Sequence, residues 1–400
     1  MRLTHPDDLT LAAPRAPQDP GAQAPPATPI ITAPSDTQSP APCRRRSSGG
    51  APATGAATRR RNAVWWTSGL TVALLTSALI AVAVGPASVS PTTAARIIAH
   101  HFLPDLVATP ADARGETIVW TLRAPRVLLA VTVGAGLALT GVIMQSLIRN
   151  VLADPYVLGV NSGASLGAAA AILFGAGAGL GDYALQGSAF LGALLATGAV
   201  LAVARAGGQM IPVRLLMAGV TVGYALSAAT SFLIFASDSA EGSRSVMFWL
   251  LGSLGLAAWN GPLAVAIAVV AGAVALALIV GPRLDVLDLG DDTALSLGVN
   301  PDRMRVVLLT GCCLVVGVLV AMAGSIGFIG LVAPHIARRL IGTTHRRLIP
   351  VAVLLGALLL VWADLASRTL LAPQEIPIGV ITALLGAPLL LVLVRRFQHL

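Results

Sequence analysis

The stretch VLLAVTVGAGLALTGVIMQSLI, residues 127–148, decides the fold of this 400-residue chain. It contains no charged side chain, and an α-helix needs about 17–25 predominantly apolar residues to cross a bilayer. Hydrocarbon offers no water to the backbone, so a segment of this length is accommodated there as a helix. We therefore predict a transmembrane helix over these residues.

Nine further runs of similar character flank this one. Over the whole chain, 56% of the residues are hydrophobic and 11% are charged, against about 25% charged in a typical soluble domain. The sequence thus predicts an all-α integral membrane protein with about ten transmembrane helices. The predicted spans are 63–84, 127–148, 156–175, 187–205, 213–236, 262–281, 304–323, 326–341, 349–367 and 377–394.

Residues 1–62 differ sharply from the rest in composition. They are rich in Pro, Ala, Thr and Gln and contain two arginine triplets, Arg44–Arg46 and Arg59–Arg61. Such a segment has too little apolar surface to form a core, which predicts a disordered tail. The first apolar run begins near Val64, beyond this long polar segment, so we interpret it as the first span of a 63–400 transmembrane domain rather than as a cleaved signal.

The basic residues predict the orientation. All 26 are arginines, and with the N-terminus inside, twelve fall on inner loops and six on outer ones. An excess of positive charge marks cytoplasmic loops, so we expect a multi-pass protein of the cytoplasmic membrane with both termini in the cytoplasm. The six outer arginines need another explanation; they are Arg96, Arg114, Arg123, Arg126, Arg244 and Arg368. The basic residues form no stripe with aromatic ones, which argues against a nucleic-acid partner.

Three classes of membrane protein fit such a bundle: an ion-coupled carrier, a membrane enzyme, and the membrane subunit of a pump whose motor is another chain. The first two usually keep ionisable residues at mid-membrane, whereas here the nearest case, Asp364, lies late in its span. An HExxH motif is absent, and His335 is an isolated histidine. Cys43, Cys312 and Cys313 lack zinc or disulfide spacing. We therefore assign no catalytic residue, cofactor or metal.

The absence of lysine bears on whether this chain could hydrolyse ATP itself. A P-loop needs its lysine to reach the nucleotide phosphates, so an ATPase that drives this protein must be a separate polypeptide. The polar inner loop 283–303, RLDVLDLGDDTALSLGVNPDR, suits such a partner because its leucines offer apolar contacts. Gly290 and Gly298 predict two short helices there. A solvated loop that lies on the bundle is the alternative.

Several strings closely resemble the FecCD family, the permeases of ABC importers for iron–siderophore complexes, haem and cobalamin. They include LRAPR at 122–126, GVIMQ at 141–145, RNVLADP at 149–155, LGVNSGA at 158–164, GFIGLVAPH at 327–335 and EIPIG at 375–379. They follow the order of the family over roughly residues 63–400, and only the tail lies outside the resemblance.

This resemblance implies the type II ABC importer permease fold. It implies a second permease subunit, identical or related, two cytoplasmic ATP-binding subunits and an extracytoplasmic substrate-binding protein, all within the lipid membrane or against it. Iron–siderophore is the expected cargo because it is the commonest in the family. Cobalamin and haem are the alternatives, and an ion-coupled secondary transporter is the alternative from another class.

The resemblance also assigns site residues. The resemblance assigns docking of the binding protein to Arg123, Arg126 and Arg368. Lipid-phosphate anchoring and helix-end capping are the alternative roles for these arginines. Coupling to the ATPase falls to segment 284–299, namely Leu284, Leu287, Leu289, Gly290, Asp291, Ala294, Leu295, Leu297 and Gly298. An inner gate falls to Asn150, Leu152, Pro212 and Val213. Val151 replaces the usual proline of the family, and an ordinary turn is the alternative for this segment.

Overall fold

A computed structural model describes residues 53–87, 89–105, 113–206 and 212–397, and these residues form helices and loops without a strand. The α-helices are α1 (Ala53–Ala83), α2 (Pro91–Phe102), α3 (Ala113–Glu116), α4 (Ala124–Ile148), α5 (Val160–Phe174), α6 (Ala184–Arg205), α7 (Pro212–Phe235), α8 (Ala240–Leu250), α9 (Gly261–Asp288), α10 (Asp291–Ser296), α11 (Pro301–Ala323), α12 (Ile329–Ile341), α13 (His345–Thr369) and α14 (Ile378–Phe397). A π-helical segment, Thr117–Arg123, joins α3 to α4, and 3₁₀ turns occupy Pro155–Leu158 and Ala178–Tyr183.

Each of the ten predicted spans coincides with one helix: α1, α4, α5, α6, α7, α9, α11, α12, α13 and α14. Within the described residues, seven helical runs are long and apolar enough to cross a membrane, and α5 and α14 are shorter apolar helices. The prediction of an all-α integral membrane protein is confirmed.

Two boundaries differ from the prediction. Helix α1 begins at Ala53, so ten residues of the predicted tail are helical, and residues 1–52 of that tail lie outside the described part of the chain. Helix α12 begins at Ile329 rather than 326, because Phe328 adopts a left-handed conformation with φ of 70° that a right-handed helix cannot include. The eighth span is therefore only 13 residues long.

Local capping explains where several helices start. Asn260 begins α9 by accepting a hydrogen bond at its side-chain oxygen from the Leu263 amide, 3.1 Å away, and Asn300 does the same for α11. Both caps are followed by a proline in the first turn, where the missing amide hydrogen costs no hydrogen bond.

Helix α4 is the central element of the bundle. Almost every residue of α4 from Val127 to Leu147 is buried, and its main neighbours are α9, α11, α12 and α13. The chain enters α4 beside Arg126 and leaves it at Arg149, so we call the two ends of the bundle the Arg126 end and the Arg149 end. Helices α2 and α8 lie at the Arg126 end, and α10 lies at the Arg149 end.

Small residues let the helices around α4 approach closely. A Cβ at Gly134 would overlap the carbonyl oxygen of Gly356 in α13, and a Cβ at Gly141 would overlap the carbonyl oxygen of Gly330 in α12. Backbone-to-backbone contact of this kind is how helices associate in lipid, where hydrophobicity gives no preference for a neighbouring helix.

Candidate functional site

Charged residues from α4, α13 and the loop before α14 form a cluster at the Arg126 end. Asp364, only 1% exposed, lies between two arginines: its Oδ1 is 2.8 Å from Arg126 Nε, and its Oδ2 is 3.0 Å from Arg368 Nε. Glu375 accepts two hydrogen bonds of 2.9 Å from the remaining nitrogens of Arg126. A guanidinium held by two carboxylates in this way has little freedom to move.

Two arginines of this end cap the C-terminus of α1. Arg123 Nη1 donates to the carbonyl oxygens of Val82, at 3.0 Å, and Ala83, at 2.7 Å, while Arg368 Nη2 donates to Ala81 at 2.9 Å. The last carbonyls of a helix lack partners within the helix and carry partial negative charge. Helix-end capping, one of the alternatives that the sequence left open, is therefore what Arg123 and Arg368 do here, and both are buried.

Arg126 and Glu375 also line a cavity of about 660 Å³. Its wall is formed mainly by apolar side chains, including Phe248 and Trp249 of α8 and Met322 of α11. Arg126 is thus a predicted docking residue whose charged partner, Glu375, reaches solvent, since the Glu375 side chain is 44% exposed.

At the Arg149 end, Asp291 fixes α10 to the bundle. Its carboxylate accepts from Arg305 of α11 at 2.8 Å and from Arg149, which follows α4. Arg149 also donates to the carbonyl oxygen of Leu287 at 2.8 Å. Burial by itself would raise the pKa of the Asp291 carboxyl, but the hydrogen bonds and charges of Arg305 and Arg149 hold that pKa below its usual range.

The predicted coupling segment contains one separate short helix instead of two. Its first half continues α9 to Asp288, and α10 follows after Gly290, whose φ of 118° favours glycine. Gly298, with φ of 79°, lies just beyond α10. The break positions that the sequence predicted are thus confirmed, whereas the first of the two predicted helices is the end of a long one.

The leucines and the alanine that the sequence assigned to coupling divide into two groups. One group is 0–2% exposed and packs into the core, and the other is 56–66% exposed. The buried group is Leu284, Leu287 and Ala294, and the exposed group is Leu289, Leu295 and Leu297. Only the second group can contact another protein without unfolding of this one.

The two predicted gate elements lie at the same end of the bundle. Arg149 ends α4 in the left-handed conformation, and Asn150 then accepts a hydrogen bond of 2.9 Å from the Leu152 amide, which makes a tight turn. Leu152 and Val213 are both exposed, and Pro212 is the first residue of α7. The ordinary-turn alternative describes the local geometry of 150–152, and the gate stays a prediction.

Sequence reasoning assigned no role to Asp364, Glu375 or Arg305, which hold these clusters together. A signal for the first two existed, since arginines at helix ends in an apolar environment need countercharges. Asp364 and Glu375 are separated from Arg126 by more than 230 positions in sequence, so only the fold identifies them as the partners.

Comparison with known proteins adds the following similarities. A profile of the FecCD transport family matches residues 73–396. The cobalamin import system permease protein BtuC of Halobacterium salinarum is 41% identical over 280 residues, which cover 70% of this chain and 74% of that protein. The hemin transport system permease protein HmuU of Yersinia pestis is 42% identical, covering 70% and 83%.

Two further similarities concern transporters of metal chelates. The Fe(3+)-citrate import system permease protein YfmD of Bacillus subtilis is 38% identical, with 72% of this chain and 84% of that protein covered. A solved structure of a metal-chelate type ABC transporter in an inward-facing conformation superposes with a TM-score of 0.72 at 32% identity. That superposition covers 82% of this chain and 98% of the other.

Proposed function

We propose, from the premise that this chain belongs to the FecCD transport family and is the permease subunit of an ABC importer, that it carries an iron–siderophore complex across the cytoplasmic membrane. The similarity to an Fe(3+)-citrate permease and to a metal-chelate type transporter supports a ferric chelate. The cobalamin and hemin permeases are equally similar in sequence, so these two cargoes are the alternatives that an experiment must separate.

The experiment is reconstituted uptake. The permease, its ATP-binding subunit and its binding protein are placed in proteoliposomes, and ⁵⁵Fe-labelled siderophore, cyanocobalamin and hemin are offered separately. ATP-dependent accumulation of the ferric siderophore alone is the expected result. Accumulation of cobalamin or hemin instead would replace the proposed cargo, and uptake without the ATP-binding subunit would replace the importer assignment with a coupled carrier.

The orientation follows from the distribution of arginine. We place the Arg126 end outside and the Arg149 end, with both termini, in the cytoplasm. Cys43 offers a direct measurement, because the other two cysteines, Cys312 and Cys313, are buried. A membrane-impermeant maleimide should label Cys43 in inverted vesicles and leave it unlabelled in intact cells; the reverse pattern would invert the topology.

Docking of the binding protein is proposed at the Arg126 cluster. Arg126 already holds a carboxylate of its own chain, Glu375, so an acidic residue of the binding protein would have to exchange with Glu375. Arg123 and Arg368 stabilise this site. Arg123 binds the end of α1, and Arg368 binds Asp364. Binding would then free Glu375 at the mouth of the 660 Å³ cavity.

This exchange predicts that Glu375→Gln tightens docking. Removing the competing charge should raise the affinity of the binding protein about fivefold, since an exposed ion pair contributes up to about 1 kcal/mol. Surface plasmon resonance on the permease in nanodiscs measures the change. Glu241→Gln, an exposed acid on α8 at the same end, is the control and should leave affinity unchanged. An unchanged affinity for Glu375→Gln would contradict docking at Arg126.

Coupling to the ATPase is proposed at the exposed leucines of the α9–α10 segment, Leu289, Leu295 and Leu297. We expect Leu289→Asp with Leu295→Asp to abolish co-purification of the ATP-binding subunit, because charged groups would replace the apolar contacts of the interface. Leu371→Asp, at a leucine of similar exposure at the other end, is the control. Leu287→Asp would be uninformative because Leu287 is buried.

A second permease subunit, identical or related, completes the proposed assembly. Helices α7 and α14 expose large apolar side chains, among them Phe232, Phe235, Leu384 and Leu385. Part of this surface faces lipid, and we propose that the rest contacts the second subunit around a central path, with Asn150, Leu152, Pro212 and Val213 near its cytoplasmic mouth.

A further inference from the structure

A chain of short hydrogen bonds joins three helices at the Arg149 end. Asp285 of α9 accepts at Oδ1 from the backbone amide of His345, at 2.9 Å, and contacts the ring nitrogen Nδ1 at 2.7 Å. The other ring nitrogen, Nε2, lies 2.8 Å from the Ser146 hydroxyl of α4. When Nδ1 donates to the Asp285 carboxylate, Nε2 of His345 accepts a hydrogen bond from the Ser146 hydroxyl, which also interacts with Asp288 of α9.

The Asp285 carboxylate replaces a missing helix cap. Thr344 precedes α13 without a capping hydrogen bond from its side chain, and Asp285 instead accepts from the first amide of that helix. A negative charge at a helix N-terminus is stabilised by the helix dipole. Because Gly281 also lies against His345 and Arg346, the end of α9 and the start of α13 are in close contact over about one turn.

Ser146 belongs to a turn of α4 that is held at two more points. Gln145 accepts a hydrogen bond from Arg338 of α12 and donates to the Leu331 carbonyl. Arg149 binds Asp291 and the Leu287 carbonyl, as described above. The last turn of α4 is thus connected to α12, to α13 and to the α9–α10 segment.

The position of Asp285 relative to the proposed coupling surface gives this chain of bonds a function. Asp285 lies three residues before the end of α9, and the exposed leucines follow directly in sequence. A force on Leu289 reaches Asp285 through the last turn of α9, and a force on Leu295 or Leu297 reaches it from α10 across the break at Gly290. His345 is 1% exposed and Ser146 is buried, which keeps solutes from the serine hydroxyl and leaves the bonds a mechanical role.

We propose that Asp285, His345 and Ser146 are positioning residues that pass movement of the coupling segment into α4 and α13. This inference rests on the proposed coupling function. Without the Ser146 link, the exposed contacts of Arg149 with Asp291 and the Leu287 carbonyl would alone join α4 to the coupling segment, so that hydrolysis would continue and import would fall. The quantity to measure is therefore the number of chelate molecules imported per ATP hydrolysed, in proteoliposomes that hold the complete importer.

Ser146→Ala is expected to lower this ratio about fivefold, because the loss of one hydrogen bond changes an equilibrium by about that factor. The ATPase rate of the variant should stay within about twofold of the wild-type rate. Ser165→Ala is the matched control, since Ser165 is equally buried but bonds only to the Asn161 carbonyl of its own helix. Ser146→Thr keeps the hydroxyl and should restore the ratio. A merely structural serine would show no difference between Ser146→Ala and Ser165→Ala.

The link also predicts that the effects of Ser146→Ala and His345→Asn on this ratio are not additive. His345→Asn keeps an amide close to Asp285 but cannot reach Ser146, so it should lower the ratio as Ser146→Ala does, and the double variant should fall no further. An unchanged ratio in Ser146→Ala, an equal fall in Ser165→Ala, or losses that multiply in the double variant would each overturn the proposal. Failure of the wild-type complex to couple ATP to import would instead overturn the proposed function itself.

Discussion

The two ends of α4 hold charge in different ways. At the Arg126 end, Asp364 is withdrawn from solvent and shared by two arginines. At the Arg149 end, Asp291 also binds two arginines, but its side chain is 42% exposed. Removing the partner of a buried ion destabilises the folded protein far more than removing the partner of an exposed ion. The first cluster is therefore built to keep the helices in place, and the second can be broken and remade at low cost.

This difference suits the two proposed tasks. A landing surface must present Arg126 in one orientation to every arriving binding protein, which a rigid, dry cluster achieves. A coupling segment must follow the ATPase through its cycle, which requires contacts that water can replace. Helix α4 joins the two ends, and its close packing means that a displacement at one end moves the other.

The largest expected effect comes from the middle of α4, on which both ends depend. Gly141→Ala places a Cβ on the carbonyl oxygen of Gly330, and neither backbone can yield. We expect a loss of about 3 kcal/mol or more of stability and little folded protein. Thermal unfolding in detergent measures it.

The control for this substitution is Gly272→Ala in α9, where no atom lies within 4 Å of the added Cβ. Alanine has the higher helix propensity, so this variant should be unchanged or more stable by up to about 1 kcal/mol. Equal stability of the two variants would show that the helices around α4 are free to separate.

The next prediction compares the stability effects of the two acids at the Arg126 end, Asp364 and Glu375. Asp364→Asn leaves Arg126 and Arg368 without their shared charge in a buried site, for which we expect a loss of about 3–5 kcal/mol. Glu375→Gln, at an exposed acid that binds the same Arg126, should cost less than about 1 kcal/mol. Denaturant unfolding of both variants tests the ranking, and a similar loss for both would mean that the cluster is not rigid.

Much of this architecture could be predicted from the sequence, because span length and the absence of charge are local properties. All ten predicted spans coincide with helices. Gly290 and Gly298 were correctly identified as breaks, since a positive φ is a property of single residues. The start of α12 was misplaced because no local signal marks the left-handed Phe328.

The sites were less accessible to sequence reasoning because they depend on which residues the fold brings together. The leucines of 284–297 are alike in sequence, yet Leu287 is core and Leu289 is surface. The outer arginines were noted as exceptions to the charge rule, but nothing local connects Arg126 with Glu375. Only its contacts with Asp285 and Ser146 give His345 a role.

The smallest expected effect is the pH dependence of the exposed cluster. The pKa of Asp291 is held below its usual range by Arg305 and Arg149, whereas the unfolded chain has an ordinary aspartate pKa of about 3.9. A depressed pKa contributes stability that is fully present above the unfolded value and is lost as the pH falls through the folded value. The contribution of Asp291 should therefore be constant from neutral pH down to about pH 5, decline as the pH falls further, and disappear once the pH is below the folded pKa.

Asp291→Asn isolates this contribution. We expect the stability difference between wild type and variant to be about 1 kcal/mol at pH 7, as for other partly exposed pairs, and to vanish at low pH because protonated Asp291 and asparagine carry the same charge. Denaturant unfolding at a series of pH values measures both curves. A difference that does not shrink as the pH falls below the folded pKa would mean that Asp291 acts through packing and not through its charge, and the Arg149 end would then resemble the Arg126 end more than its exposure suggests.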